Sequence, residues 1–226
     1  MDSSALTATY RVQLHAGFRL ADVRDLVPYL ERLGISHLYV SPLLAARPGS
    51  LHGYDVVDPT RLNPELGSEE ELRALASDVH ARGMGVLLDI VPNHMGTGPS
   101  NPFWEDVLAN GRGSKWANWF DVDWDSERPS LRGRVLVPVL GDTLEAVLDR
   151  GELSLVRQGE RIRLKYSEHT FPLSPETEDA LRDVDLTRWH KGVAGRARMR
   201  EIVDAQHYRL ALWKRASVAI NYRRFF

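Results

Sequence analysis

An aspartate, an asparagine and a histidine stand within six residues of one another in Asp89-Ile90-Val91-Pro92-Asn93-His94. Asp89 interrupts an apolar run, and a carboxylate withdrawn from water costs several kcal/mol unless it is paired or hydrogen-bonded. It therefore needs partners. Asn93 and His94 follow four and five residues later, where they can exchange hydrogen bonds with a hydroxylated ligand. Alone, Asp89 is best read as a turn cap and His94 as a satisfied rim histidine. An acid, a proline, an asparagine and a histidine together at a strand end favour a site instead. Tyr54, in His52-Gly53-Tyr54-Asp55, offers an aromatic ring beside a glycine that lets the backbone come close. By itself it would be an ordinary loop tyrosine packed on the next helix.

The elements that must position these residues alternate. Residues 9–15 alternate and are β-rich, which predicts a first strand. A helix is expected from about residue 22 to 33, with Val23, Leu26, Val27, Leu30 and Leu33 at helical spacing and Gly34 at its end. Pro28 should bend that helix or shift its register. Residues 35–40 predict a second strand, followed by the loop that carries Tyr54. Ser68 and Glu71 form a capping-box pattern ahead of Leu72, Leu75, Ala76 and Val79, and Gly83 stops that second helix. Residues 85–91 read as a third strand buried on both faces. Strand–helix–strand–helix–strand implies parallel strands, whose carboxyl ends are where ligands bind. Periodicity leaves a closed barrel and an open doubly wound sheet both standing. The lack of a Gly-rich phosphate loop argues against nucleotide binding.

After His94 the alternation ends. Residues 96–195 read as an inserted α+β subdomain, with strands at 153–156 and 161–166 and a short helix starting at Asp142, capped with Glu145. Residues 196–226 return to a helical pattern, with Ile202, Val203, Leu210 and Trp213 as its apolar positions. Asp121, Asp123 and Asp125 alternate along one short stretch, a spacing that more often decorates a solvated strand or turn.

Composition removes several classes. With 29 basic and 31 acidic residues the net charge is −2, which gives no reason to expect nucleic acid or a membrane surface. The exception is the C-terminal stretch, where Arg209, Lys214, Arg215, Arg223 and Arg224 interleave with Tyr208, Trp213, Tyr222, Phe225 and Phe226. That pattern can bind single strands, but the acidity of the rest makes a helix lining a ligand cleft the preferred reading. The chain has no cysteine, which excludes disulfides and thiolate metal sites. The first ten residues lack the plan of a secretory signal, and no apolar run reaches the roughly 18 residues a spanning helix needs. A soluble, cytoplasmic protein is expected.

Asp89-Ile90-Val91-Pro92-Asn93-His94 resembles the first conserved region of the α-amylase family of glycoside hydrolases, and His52-Gly53-Tyr54-Asp55-Val56 resembles that family's tyrosine loop. Residues 9–18, 29–58 and 206–226 are similar to one subgroup in particular, synthases that convert the reducing-end α-1,4 linkage of a maltooligosaccharide into an α,α-1,1 linkage. The resemblance implies the first part of a (β/α)8 barrel: three βα units over residues 1–95, the insertion over 96–195, and a return toward the barrel over 196–226. It implies that His94 donates to the sugar at the cleavage subsite and that Tyr54 stacks under the same ring. Asn93 would brace the loop, and Asp89 would hold the arginine that precedes the nucleophile. Some family members use the Asn93 position for calcium; the subgroup implies no cofactor and no metal. The substrate implied is a maltooligosaccharide.

The family's nucleophile follows a pattern like G-x-R-x-D-H, and none of the 226 residues match it. The resemblance therefore implies a chain that stops short of the catalytic carboxylates and is inactive alone. Asp89 would lack its arginine, and the third strand would lack a neighbour.

Overall fold

The computed structural model describes residues 5–186 and 192–223. They form two compact units, one built from residues up to Asn101 and one from Pro102 to Arg223.

In the first unit, β1 (Thr9–Val12), α1 (Leu20–Arg32), β2 (His37–Val40), α2 (Glu69–Ala81) and β5 (Gly85–Leu88) follow in the expected alternation. A hairpin, β3 (Leu44–Ala46) and β4 (Val56–Leu62), is set between β2 and α2. β1, β2 and β5 form one parallel sheet with β2 in the middle. Both helices start where side chains meet their orphan amides. Asp22 accepts from the N–H of Arg19 at 2.6 Å, while Ser68 and Glu71 cap α2 reciprocally. α1 runs through Pro28 to Arg32.

The sheet has two chemically different faces, because successive side chains alternate. Val12, Leu38 and Val40 point to the helices and pack against Val23, Val27 and Leu30 of α1 and Leu75 and Val79 of α2, all buried. Each fully buried Val or Leu contributes about 1.5–3 kcal/mol. On the other face the register sets Arg11 beside Tyr39 and Tyr39 beside Leu87. Asp89 follows two residues on.

The third strand departs from expectation. It is not buried on both faces: Leu88 is 54% exposed and, just beyond the strand, Ile90 is 67% exposed. β5 pairs with β2 alone among the described residues, and no helix of this unit follows it.

The second unit is α+β. α3 (Pro102–Asn110), β6 (Val135–Leu140) and α4 (Leu144–Asp149) precede an antiparallel meander of β7 (Leu153–Gln158), β8 (Arg161–Tyr166) and β9 (His169–Pro172). α5 (Pro175–Leu181), α6 (Gly192–Asp204), β10 (Tyr208–Leu212) and α7 (Ala216–Ala219) complete it. The cap of α4 is Thr143, not Asp142. The Thr143 hydroxyl accepts from Ala146 N–H at 3.3 Å, while Asp142 is held by Thr143 N–H and Arg150.

The helical reading of residues 196–226 holds to Asp204 and again at Ala216–Ala219, with a strand between them. Tyr208–Leu212 is a strand, paired in parallel with β6. Burial explains the change: Tyr208 and Leu210 are at most 1% exposed, alternating as a strand requires. Gln206, also buried, accepts from Ser174 N–H at 2.7 Å and donates to the Ile202 carbonyl at 2.6 Å, tying α5 to α6. Tyr208 donates to the Pro172 carbonyl, and Tyr222 packs on Trp104. These aromatics of the basic stretch are core, not a strand-binding surface. Arg224, Phe225 and Phe226 lie outside the described residues.

Candidate active site

The site lies at the carboxyl ends of β1, β2 and β5, where the polar face of the sheet meets the tip of the β3–β4 hairpin. That tip is closed by Arg47 N–H on the Asp55 carbonyl at 3.1 Å and by Ser50, whose hydroxyl donates to Asp55 and accepts from Gly53 N–H. Gly53 has φ +77, and a Cβ there would lie 3.0 Å from the Pro42 carbonyl oxygen. Only glycine takes both the positive φ and the close approach without strain. The geometry delivers Tyr54 to the strand ends, its N–H on His52 Nδ1 at 3.0 Å.

Three donors converge on one oxygen of Asp89. Tyr54 Oη donates to Oδ2 at 2.5 Å, Tyr39 Oη donates at 3.1 Å, and Arg11 Nη2 stands 3.5 Å away. Arg11 also donates to Tyr54 Oη at 3.1 Å and to Gln13 Oε1 at 3.0 Å, and its guanidinium lies 5.4 Å from the centre of the Tyr39 ring. Burial pushes the Asp89 carboxyl upward. The hydrogen bonds from Tyr54, Tyr39 and Arg11 outweigh it and hold the group below the ordinary carboxylate range. The Tyr54 phenol is raised, chiefly by its bond to Asp89 and then by burial, with Arg11 opposing. A carboxylate held ionised, with three donors on one oxygen, is poorly suited to give a proton or attack carbon. It fits an anchor for the aromatic ring.

His94 joins the same group. Its Nε2 donates to the Tyr54 carbonyl at 3.1 Å, and its Nδ1 meets Asn93 Oδ1 at 2.7 Å. Both nitrogens are engaged, so donation to a sugar hydroxyl requires exchanging one of these bonds. The backbone beyond is pinned by Gly96 N–H on the Val56 carbonyl at 2.8 Å and by Asn101 Nδ2 on the Gly96 carbonyl. Asn93 reaches the site through His94, not directly.

Tyr54, Asp89 and His94, singled out in sequence, are thus brought together. Two members of the cluster were not foreseen. Arg11, from β1, stands beside Asp89, and Tyr39 supplies a second phenol from β2. The signal was present as alternation: Arg11 and Tyr39 each sit between apolar neighbours, Tyr10 and Val12 or Leu38 and Val40. Asp121 and Asp125 face Arg223 and Arg112 at 3.0 and 2.7 Å, and Asp125 is largely exposed. They act as surface ion pairs. Among the described residues no three His, Asp or Glu side chains gather as metal ligands, and Asn93 directs its oxygen at His94. No described helix is long and apolar enough to cross a membrane.

Parallel strands alternating with helices, with an Asp–Tyr–His cluster at their carboxyl ends, have the arrangement in which parallel β/α folds bind ligands, and comparison with known proteins makes it part of a (β/α) barrel. The alpha-amylase catalytic domain matches residues 19–138, more than half of the chain, and the chain belongs to that family. It is 39% identical to a Mycobacterium tuberculosis protein named "Putative maltooligosyl trehalose synthase", over 97% of this chain and 26% of that protein. The solved maltooligosyltrehalose synthase from Arthrobacter ramosus is 43% identical with a TM-score of 0.77, again over 97% of this chain and 26% of the other. An intracellular maltogenic amylase of Bacillus subtilis is 39% identical over only 47% of this chain and 17% of its own length. The chain spans about a quarter of the synthases it matches.

Proposed function

We propose that this chain contributes the sugar-holding wall of an enzyme that rearranges maltooligosaccharides, converting the reducing-end α-1,4 linkage to an α,α-1,1 linkage. One observation carries the reading: similarity to trehalose-forming synthases extends over 97% of the chain, against 47% for the maltogenic amylase. In this reading Tyr54 stacks under the sugar at the cleavage subsite and His94 exchanges its bond to the Tyr54 carbonyl for a sugar hydroxyl. Asn93 braces the loop, and Asp89, with Arg11 and Tyr39, fixes the tyrosine. The second unit is an insertion after the third barrel strand, and the enzyme works in the cytoplasm.

The chemistry asks for a carboxylate that attacks the anomeric carbon and an acid that protonates the leaving oxygen. The glucose so released then returns through its own anomeric hydroxyl. No residue of this chain is assigned either carboxyl role. What these residues do is hold and orient the sugar, and a ring fixed at both ends loses little freedom on binding.

The test is a segment exchange. This chain replaces the matching segment of the Arthrobacter ramosus synthase, and the hybrid is given maltopentaose. A non-reducing product without release of glucose supports the reading. Glucose together with a gain in reducing ends identifies a hydrolase and overturns it.

A further inference from the structure

The loop between α3 and β6 divides its aromatic residues. Phe120 and Trp124 are buried, whereas Trp119 is 42% exposed. Trp119 does not stand alone. Its ring lies 4.4 Å from Trp116, edge to face at 69°, and 4.9 Å from Phe103; Phe103 and Trp116 meet at 4.8 Å. The backbone under these rings is fixed by turns: Ala117 N–H on the Ser114 carbonyl, Trp119 N–H on the Trp116 carbonyl, and Trp116 N–H on Ser114 Oγ. Ser114 is itself held by Asp106. The outer indole is therefore rigid before anything binds.

We propose that Trp119, propped by Trp116 and Phe103, is a glucan-binding platform that stacks on the pyranose face of an α-1,4-glucan; the choice of glucan rests on the function proposed above. A pyranose presents an apolar C–H face and a rim of hydroxyls, so it needs one flat aromatic surface amid hydrogen-bonding groups. The surroundings match that mixture. Lys115 Nζ lies 4.8 Å from the centre of the Trp116 ring. Asn118, next to Trp119, helps line a cavity of 420 Å³ with Arg112, Asp123 and Asp125. A protein partner would call for a broader apolar area. Among the described residues of this unit the exposed large hydrophobic side chains are Trp119, Val193 and Trp213, and of these Trp119 is the one propped by other aromatic rings. An exposed indole face backed by two further rings and bordered by Lys115, Asn118 and Arg112 fits a sugar.

Native electrophoresis of the 226-residue chain through gels containing glycogen tests this, with hydroxyethylcellulose gels as the β-1,4 comparison. Retardation by glycogen is expected, with Trp119→Ala raising the apparent Kd about tenfold and Trp119→Phe restoring part of it. Circular dichroism of each variant separates lost binding from lost folding. Equal retardation of the Trp119→Ala and unsubstituted chains would overturn the platform and leave the glucan reading of the strand-end site standing. Retardation by hydroxyethylcellulose alone would overturn both. No retardation in either gel overturns the platform.

Discussion

The guanidinium of Arg11 stands 3.5 Å from the carboxylate of Asp89, although β1 and β5 are separated in the sheet by β2. Tyr39, on the strand between them, lies near the arginine and donates to the acid, so the three strands contribute one residue each. The arrangement follows from register. Arg11, Tyr39 and Leu87 align, and Asp89 lies one alternation beyond, on the face the helices do not cover.

If Asp89 raises the Tyr54 phenol, removing its charge must lower it. Asp89→Asn is expected to move the ionisation of Tyr54 down toward the ordinary tyrosine value near 10. Difference absorbance near 295 nm against pH, with Tyr54→Phe to identify the transition, measures this. An unchanged titration would show that the 2.5 Å bond does not persist in solution.

The depressed Asp89 carboxyl and the raised Glu105 carboxyl make opposite contributions at acid pH. Asp89 stabilises the fold above its ordinary value of 3.8, a contribution lost as pH falls through the lower folded value. Glu105, raised first by burial with Arg163 opposing, contributes stability below its ordinary value of 4.5 that is lost as pH rises through the folded value. Urea unfolding from pH 2.5 to 6 should show Asp89→Asn removing the first slope and Glu105→Gln the second.

Glu105 and Arg163 form a mostly buried pair at 2.6 Å. Arg163→Met leaves the carboxylate without its partner and should cost on the order of 3 kcal/mol. Adding Glu105→Leu should recover most of that loss, because two apolar groups replace a pair that was costly to desolvate. A double variant no more stable than the single one would contradict this.

Gly53→Ala places a Cβ 3.0 Å from the Pro42 carbonyl oxygen at a φ of +77. A loss of about 1–3 kcal/mol is expected by chemical denaturation. Tyr54 should also titrate closer to its ordinary value, since the hairpin tip no longer delivers it squarely to Asp89.

Incubated with maltopentaose, the 226-residue chain alone is expected to yield neither glucose nor a non-reducing product. Chromatography over a long incubation decides this, and slow but reproducible turnover would refute it.

Much of the first unit was legible because its signals are local. Ser68 with Glu71, the apolar stripe of α2 and the run before Asp89 each announce an element within a dozen residues. Asp89 and His94 stood out because an acid and a histidine are unusual in and just after an apolar run, whereas Tyr54 was singled out by the family resemblance of its loop. Arg11 and Tyr39 were not, because which arginine faces Asp89 depends on sheet order, a tertiary fact. Local pattern also misled: the apolar run of 85–91 suggested a strand buried on both faces, yet Leu88 and Ile90 are exposed. Thr143 beside Asp142 offered two caps one residue apart, and the apolar spacing of 202–213 suited a helix until pairing with β6 made its last part a strand.

That last pairing bears on how the second unit comes together in time. β7, β8 and β9 are joined by tight turns and can zip from their own ends, whereas β6 must wait for β10 across the whole intervening chain. Contacts so distant in sequence close slowly. The meander should therefore gain protection from hydrogen exchange early in refolding and the β6–β10 ladder late, leaving the apolar edge of β6 transiently available to wrong partners.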